Sequence, residues 1–254
     1  MKKEGKLGKS HMKKGVYILP NLFTSANLIF GFYSILYSIR GAFVEASFFV
    51  LISIVLDSLD GRIARMTNSV SKFGIEYDSL SDLVAFGVAP AVLIYLWSLS
   101  SFGKWGSVTA CLFVLCGALR LARFNIQIGI VESKVFKGLA IPAAAAVIVT
   151  GILLYEDKVG KGPYPHILVL AAVVILSLLM VSNVKYYSFK NLNYFARKPF
   201  MSFLVIVLAL LIVVAEPQVM LFTVMTGYAL SGPAWFLLRL VKRHRRPATE
   251  AQGT

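Results

Sequence analysis

The chain has 254 residues, of which 57% are hydrophobic and 15% charged, and its formal net charge is +14. A soluble domain carries about 25% charged residues, and apolar runs of about 20 residues read as membrane spans, so a water-soluble globular fold is excluded. The basic excess does not read as nucleic-acid binding, because Lys and Arg cluster at the ends of apolar runs, where they set topology and meet anionic headgroups.

In chain order, residues 1–15 form a basic head. The stretch GKSHM (Gly8–Met12) reads as a cloning remnant, and no function is assigned to residues 1–12. No cleavable signal pattern is present, since the first apolar run is long enough to span. Eight spans follow, at about 20–39, 42–64, 74–98, 106–124, 138–155, 165–184, 200–215 and 219–241. Breakers separate them: Arg40-Gly41, Thr67–Lys72, Ser98–Lys104, the loop around Glu132–Lys137, Gly160–Pro165, Lys185–Pro199 and Glu216-Pro217. The predicted class is an all-α integral membrane protein, with residues 16–241 as a single transmembrane catalytic domain and 242–254 as a basic tail. Cys111 and Cys116 lie five apart in an apolar run and read as structural thiols.

With the N-terminus in the cytoplasm, only Arg40, Lys104, Lys158 and Lys161 fall outside, leaving 22 of the 26 Lys and Arg residues inside. That asymmetry predicts two cytoplasmic termini and an even span count.

Four aspartates break the apolar pattern in LDSLDGRIARMTNSVSKFGIEYDSLSD (Leu56–Asp82). Asp57 and Asp60 are three apart on the second span, and Asp78 and Asp82 are four apart on the third, so each pair shares a helix face. A short connection makes the two spans antiparallel neighbours. At 1.5 Å per residue, Asp57 and Asp78 lie roughly 10–12 Å inside the cytoplasmic boundary, with Asp82 somewhat deeper. An aspartate at the bilayer centre costs about 2.5–3.5 kcal/mol, so four of them call for compensation. Hard divalent cations, magnesium or manganese, supply it, because carboxylate oxygens are their preferred ligands. Helix–helix polar contacts need one or two polar residues, not four acids in register. A transporter would hold its acids near the midplane on broken helices, whereas these lie near one face beside Arg65.

The spacing Asp57-x2-Asp60-Gly61-x2-Ala64-Arg65-x8-Gly74-x3-Asp78-x3-Asp82 is similar to the signature of the CDP-alcohol phosphatidyltransferase family at every fixed position. The resemblance implies an integral membrane enzyme with a six-helix core. Such an enzyme transfers a phosphatidyl group from CDP-diacylglycerol to an alcohol, releases CMP and uses a divalent metal. It implies that Asp57, Asp60, Asp78 and Asp82 hold metal and that Asp82 is also the general base. It further implies that Gly61, Arg65, Ser71 and Gly74, with Asn21 and Thr24, contact the CDP moiety.

LPNLFTSANLIFGF (Leu19–Phe32), SDLVAFGVAPA (Ser81–Ala91), LRLARFN (Leu119–Asn125) and SNVKYYSFK (Ser182–Lys190) resemble the membrane-embedded, Bacillus-type phosphatidylserine synthases within that family. The subgroup adds two helices to the six-helix core. One departure is GLAIPAAA (Gly138–Ala145), where Ala140 stands in place of a usual proline. The other synthase chemistry, paired H-x-K-x4-D motifs, has no residues here: Ile18 stands where the aspartate of the one His11-Met12-Lys13 match belongs, and His166 and His244 are scattered.

L-serine as acceptor calls for a fixed cation for its carboxylate, and Arg120, Arg123 and Lys190 are the candidates for serine or lipid phosphate. Arg120 is preferred because it lies deeper in its apolar run. Glycerol phosphate also attracts cations, so phosphatidylglycerophosphate synthase stays open, as does archaetidylserine synthase, which differs in the lipid. The expected setting is the inner cell membrane, with the site at the cytoplasmic face. The expected partners are CDP-diacylglycerol, L-serine and membrane lipids, and the oligomeric state, a homodimer among the options, is left open.

Overall fold

A computed structural model of the chain describes residues 18–66, 71–127, 135–160, 166–187 and 216–244. Its first helix, α1 (Ile18–Ile39), stops at Gly41, whose φ of 76° suits glycine. There Gly41 N–H donates to the Ser38 carbonyl and Ala42 N–H to the Tyr37 carbonyl, both at 3.0 Å. These are the paired bonds of a Schellman ending. The turn sends α2 (Phe43–Met66) back along α1. Phe49 on α2 meets the rings of Phe30, Tyr33 and Tyr37 at centroid distances of 5.9, 5.8 and 4.9 Å. That stripe at helical spacing locks the hairpin.

The third rod starts at α3 (Lys72–Asp82). Ser71, in extended backbone, caps it by accepting the Gly74 N–H on its Oγ at 2.9 Å. The rod continues through a π turn (Leu83–Val88) into α4 (Ala89–Trp97). Pro90 explains the π turn: it has no N–H for the Phe86 carbonyl, and its ring crowds that carbonyl. The turn widens, and Ala89 N–H reaches back five residues to the Val84 carbonyl. The sequence reading, a plain span at 74–98, did not anticipate this change of winding.

After a 3-10 turn (Leu99–Phe102) come α5 (Lys104–Gln127), α6 (Ile141–Lys158), α7 (Ile167–Val181) and α8 (Pro217–His244). Pro142 sits in the first turn of α6, where a missing N–H costs nothing. The predicted span at 200–215 lies outside the described residues, as do the basic head through residue 17 and the tail from residue 245.

The all-α class holds, with one small addition that the sequence did not predict. β1 (Val135–Lys137) pairs antiparallel with β2 (Lys185–Tyr187), Phe136 opposite Tyr186. Both segments read as polar breakers in the sequence. Two connections leaving helices on the same side satisfy their backbone groups on each other. Gly138 N–H donates to the Val184 carbonyl at 2.8 Å, and Leu139 N–H to the Leu179 carbonyl at 3.0 Å, tying the ladder to the end of α7.

α1 packs on α2, α5 on α7, α6 on α8 and α2 on α6, and the π turn lies among α1, α5 and α6. Small residues make the centre tight: Ala85, Ala89, Ala144 and Ala145 are fully buried beside Phe86 and Ile141. At Gly31 a Cβ would stand 2.6 Å from Ala85 Cα, so α1 crosses the π turn where only a hydrogen fits. Large apolar side chains point outward, with Phe32, Ile39, Trp105 and Leu168 among the exposed residues. Such a surface suits a bilayer and not water. Among the described residues, three helices are long and apolar enough to cross a membrane: 21–39, 72–97 and 104–126. The fold is that of a helical membrane protein.

Candidate active site

The winding of α2 and α3 brings the acids together. Asp57, Asp60 and Asp78 each offer an oxygen, and these oxygens lie within 4.8 Å of one another. Asp57 also stands within hydrogen-bonding reach of Asp82. Two anionic carboxylates do not stand so close without a proton or a cation between them. Asp60 and Asp82 are buried, and Asp78 Oδ1 is buried with no hydrogen-bond partner among the described residues. A hard cation fits this donor set: carboxylate oxygens from buried Asp60 and half-buried Asp57 and Asp78 converge, and Asp78 brings an oxygen that no described residue satisfies.

α1 organises the acids from behind. Thr24 Oγ1 donates to Asp60 Oδ2 at 3.0 Å, and Asn27 Nδ2 donates to Asp82 Oδ1 at 3.2 Å. The helix itself is gripped: Ser81 Oγ donates to the Thr24 carbonyl at 3.0 Å, and Ser53 Oγ to the Asn27 carbonyl at 3.2 Å. Asn27, Ser53 and Ser81 are all fully buried. Metal-binding carboxylates need such outer partners to hold their orientation. Asp60 therefore answers to Thr24, and Asp82 to Asn27, a division of labour within one acidic cluster.

Three of the predicted nucleotide residues, Asn21, Ser71 and Gly74, meet at the start of α3. A Cβ on Gly74 would meet Ser71 Oγ at 3.1 Å and Asn21 Oδ1 at 3.5 Å, so these three residues share one small space. Ser25 and Tyr77 close its side with a hydroxyl–hydroxyl bond of 2.9 Å. Gly61 directly follows Asp60 on α2, and Arg65 occupies the last turn of that helix. Thr24, expected at the nucleotide, is instead seen on Asp60.

The three candidate cations separate. Arg120, on α5, is half-buried, within electrostatic range of Asp82 and near the phenol of Tyr228 on α8. Arg123 turns to the end of α7, donating to the Val181 carbonyl and to Asn183 Oδ1. There it satisfies a helix C-terminus. Lys190 and the side chain of Arg65 lie outside the described residues.

Sequence reasoning missed Asn27, Ser53 and Ser81. A signal for Asn27 was present: Thr24 and Asn27 are polar residues three apart in an apolar run, the same pattern that singled out Asp57 and Asp60. Tyr228 gave no signal, because the placement of α8 beside Arg120 is a tertiary fact.

Fold and site together define a membrane-embedded protein with a buried carboxylate centre suited to a divalent cation. The sequence profile of the CDP-alcohol phosphatidyltransferase family matches residues 17–183. The chain belongs to that family and is an enzyme. It is similar to the CDP-diacylglycerol–serine O-phosphatidyltransferase of Helicobacter pylori strain 26695, 40% identical over 227 residues, covering 89% of this chain and 94% of that protein. The protein of the same name from Bacillus subtilis is 37% identical over 175 residues, covering 68% of this chain and 92% of that one. An archaetidylserine synthase of Methanothermobacter thermautotrophicus is 39% identical over 170 residues, covering 66% and 69%. Membership of the family decides against the ion-coupled transporter.

Proposed function

We propose that this chain transfers the phosphatidyl group of CDP-diacylglycerol to the hydroxyl of L-serine, giving phosphatidylserine and CMP. The observation that carries the proposal is the arrangement of the aspartate cluster: carboxylate oxygens of Asp57, Asp60 and Asp78 converge, while Asp82 beside them is oriented by the Asn27 amide. The names of the Helicobacter and Bacillus relatives support serine as the acceptor.

Asp57, Asp60 and Asp78 would hold magnesium or manganese, with Asp82 available to a second ion. When bound, the cation neutralises the diphosphate and draws electron density from phosphorus. Thr24 orients Asp60. Asn21, Gly61, Arg65, Ser71 and Gly74 cradle the cytidine diphosphate. Asp82 takes the proton of the serine hydroxyl. The serine oxygen forms the new bond to the phosphatidyl phosphorus as the bond to CMP breaks in line, and CMP leaves with the electron pair. Asp82 then returns its proton to solvent. Arg120 neutralises the serine carboxylate, and Lys190 serves the lipid phosphate or the carboxylate. Arg123 fixes the α7 end that supports them.

The same reading has eight spans in one domain, residues 16–241, between a basic head and tail, with both termini and the site at the cytoplasmic face of the inner membrane, and the 22 inward Lys and Arg residues support it. The archaeal relative gives a second reading in which the lipid is archaetidyl and the chemistry is the same.

The test is CMP release by purified protein from CDP-diacylglycerol and from CDP-archaeol. L-serine, inositol, glycerol and glycerol phosphate are compared as acceptors, with and without excess chelator. Serine-dependent, chelator-sensitive release is expected. Preference for glycerol phosphate, or full turnover in chelator, refutes the proposal.

A further inference from the structure

Asn27, in contact with Asp82, and Arg120, within electrostatic range of it, each carry a buried polar atom that has no partner among the described residues. One is Asn27 Oδ1, an acceptor, and the other is Arg120 Nε, a donor. Buried polar atoms are nearly always paired, and leaving one unpaired costs about 1–3 kcal/mol. Asn27 is fully buried, and its Nδ2 is committed to Asp82 Oδ1 at 3.2 Å. That bond fixes the amide plane and so fixes where Oδ1 stands: beside the carboxylate assigned to the acceptor hydroxyl. Arg120 feels the charge of Asp82 from α5.

An unpaired acceptor beside a proton-accepting carboxylate, with a cationic donor in electrostatic range, is the complement of a small zwitterion. In a 2-amino-3-hydroxy acid the ammonium and the carboxylate share one carbon, and the hydroxyl is one carbon away. All three must be met within one small volume. Glycerol, inositol and glycerol phosphate have no ammonium and would leave Asn27 Oδ1 unpaired. Polar atoms left unpaired by the wrong substrate are a strong basis for rejection.

We propose that Asn27 determines acceptor specificity: its Oδ1 accepts a hydrogen bond from the α-ammonium of the acceptor, while its Nδ2 aims Asp82 at the hydroxyl. The inference rests on the proposed use of serine and names the residue that reads the amino group.

The test compares L-serine with 3-hydroxypropionate, which keeps the hydroxyl and carboxylate but lacks the ammonium. Dissociation constants are measured by ligand-observed NMR on full-length protein saturated with manganese-free CMP and magnesium, where no turnover occurs. In the unaltered protein serine binds more tightly than 3-hydroxypropionate. In Asn27→Leu, nearly isosteric, serine binding weakens about 10- to 100-fold, the worth of a hydrogen bond to a charged group. Binding of 3-hydroxypropionate changes by less than about twofold, so the preference is lost. Turnover also falls, because Asp82 loses its donor. If Asn27→Leu does not retain CMP, Asn27→Ser, which is smaller and keeps a hydroxyl, carries the same comparison. Equal weakening of both ligands, or none, overturns the proposal and assigns the unpaired oxygen to an internal water. An unaltered protein that releases CMP with glycerol phosphate and not with serine refutes the acceptor reading itself. That outcome is distinct from a serine enzyme whose preference survives Asn27→Leu.

Discussion

Thr24→Val removes one hydroxyl from a buried position and leaves the side-chain shape almost unchanged. The lost contact is the 3.0 Å bond from Thr24 Oγ1 to Asp60 Oδ2. A hydrogen bond to a charged group contributes about 1.5–3 kcal/mol, which corresponds to roughly 10- to 100-fold in an equilibrium constant. Loss of an outer partner of a metal ligand weakens metal binding over the same range, about 10- to 100-fold. The effect stays local, because Ser81 Oγ holds the main-chain carbonyl of Thr24, which the substitution leaves in place. The assay is manganese titration of the purified protein in detergent, followed by the electron paramagnetic resonance of the free ion. The manganese dissociation constant should rise about 10- to 100-fold, while CDP-diacylglycerol affinity at saturating manganese is retained. Unchanged manganese affinity with weakened CDP-diacylglycerol binding would refute the reasoning and return Thr24 to the nucleotide.

Three further outcomes are expected. Asp57→Asn should weaken metal and CDP-diacylglycerol binding together, whereas Asp82→Asn should mainly slow turnover, by about 10²–10⁴-fold for a lost general base; paired binding titrations and rates check this. Gly31→Ala places a Cβ 2.6 Å from Ala85 Cα, so α1 must move off the π turn. Overpacking of this kind costs about 1–3 kcal/mol, and the thermal midpoint in detergent and the activity should both fall, because Thr24 and Asn27 ride on α1. Proteases added to right-side-out spheroplasts should cleave neither terminus, and cleavage of either would overturn the topology drawn from the 22 inward Lys and Arg residues.

The aspartates were legible in the sequence because helical periodicity is a local rule. Asp57 with Asp60, and Asp78 with Asp82, share faces whatever the rest of the chain does, and a short turn makes their helices neighbours. Apolar run length likewise marked the helices that the structure describes, since a bilayer sets their span. The division among the acids was not legible. It depends on which face α1 turns to them, and that is decided by Gly31 at Ala85, by the Phe49 cluster and by the grip of Ser53 and Ser81 on α1 carbonyls. The β1–β2 ladder was hidden for a related reason: 47 residues, 138–184, separate its two strands, and no local pattern links them. Arg120 and Arg123 show the same limit most plainly. They lie one helical turn apart, and depth in the apolar run favoured Arg120, yet only the packing puts Arg120 within electrostatic range of Asp82 and sets Arg123 on the end of α7. A helix fixes which residues share its own faces, and only the packing of its neighbours decides what each face meets.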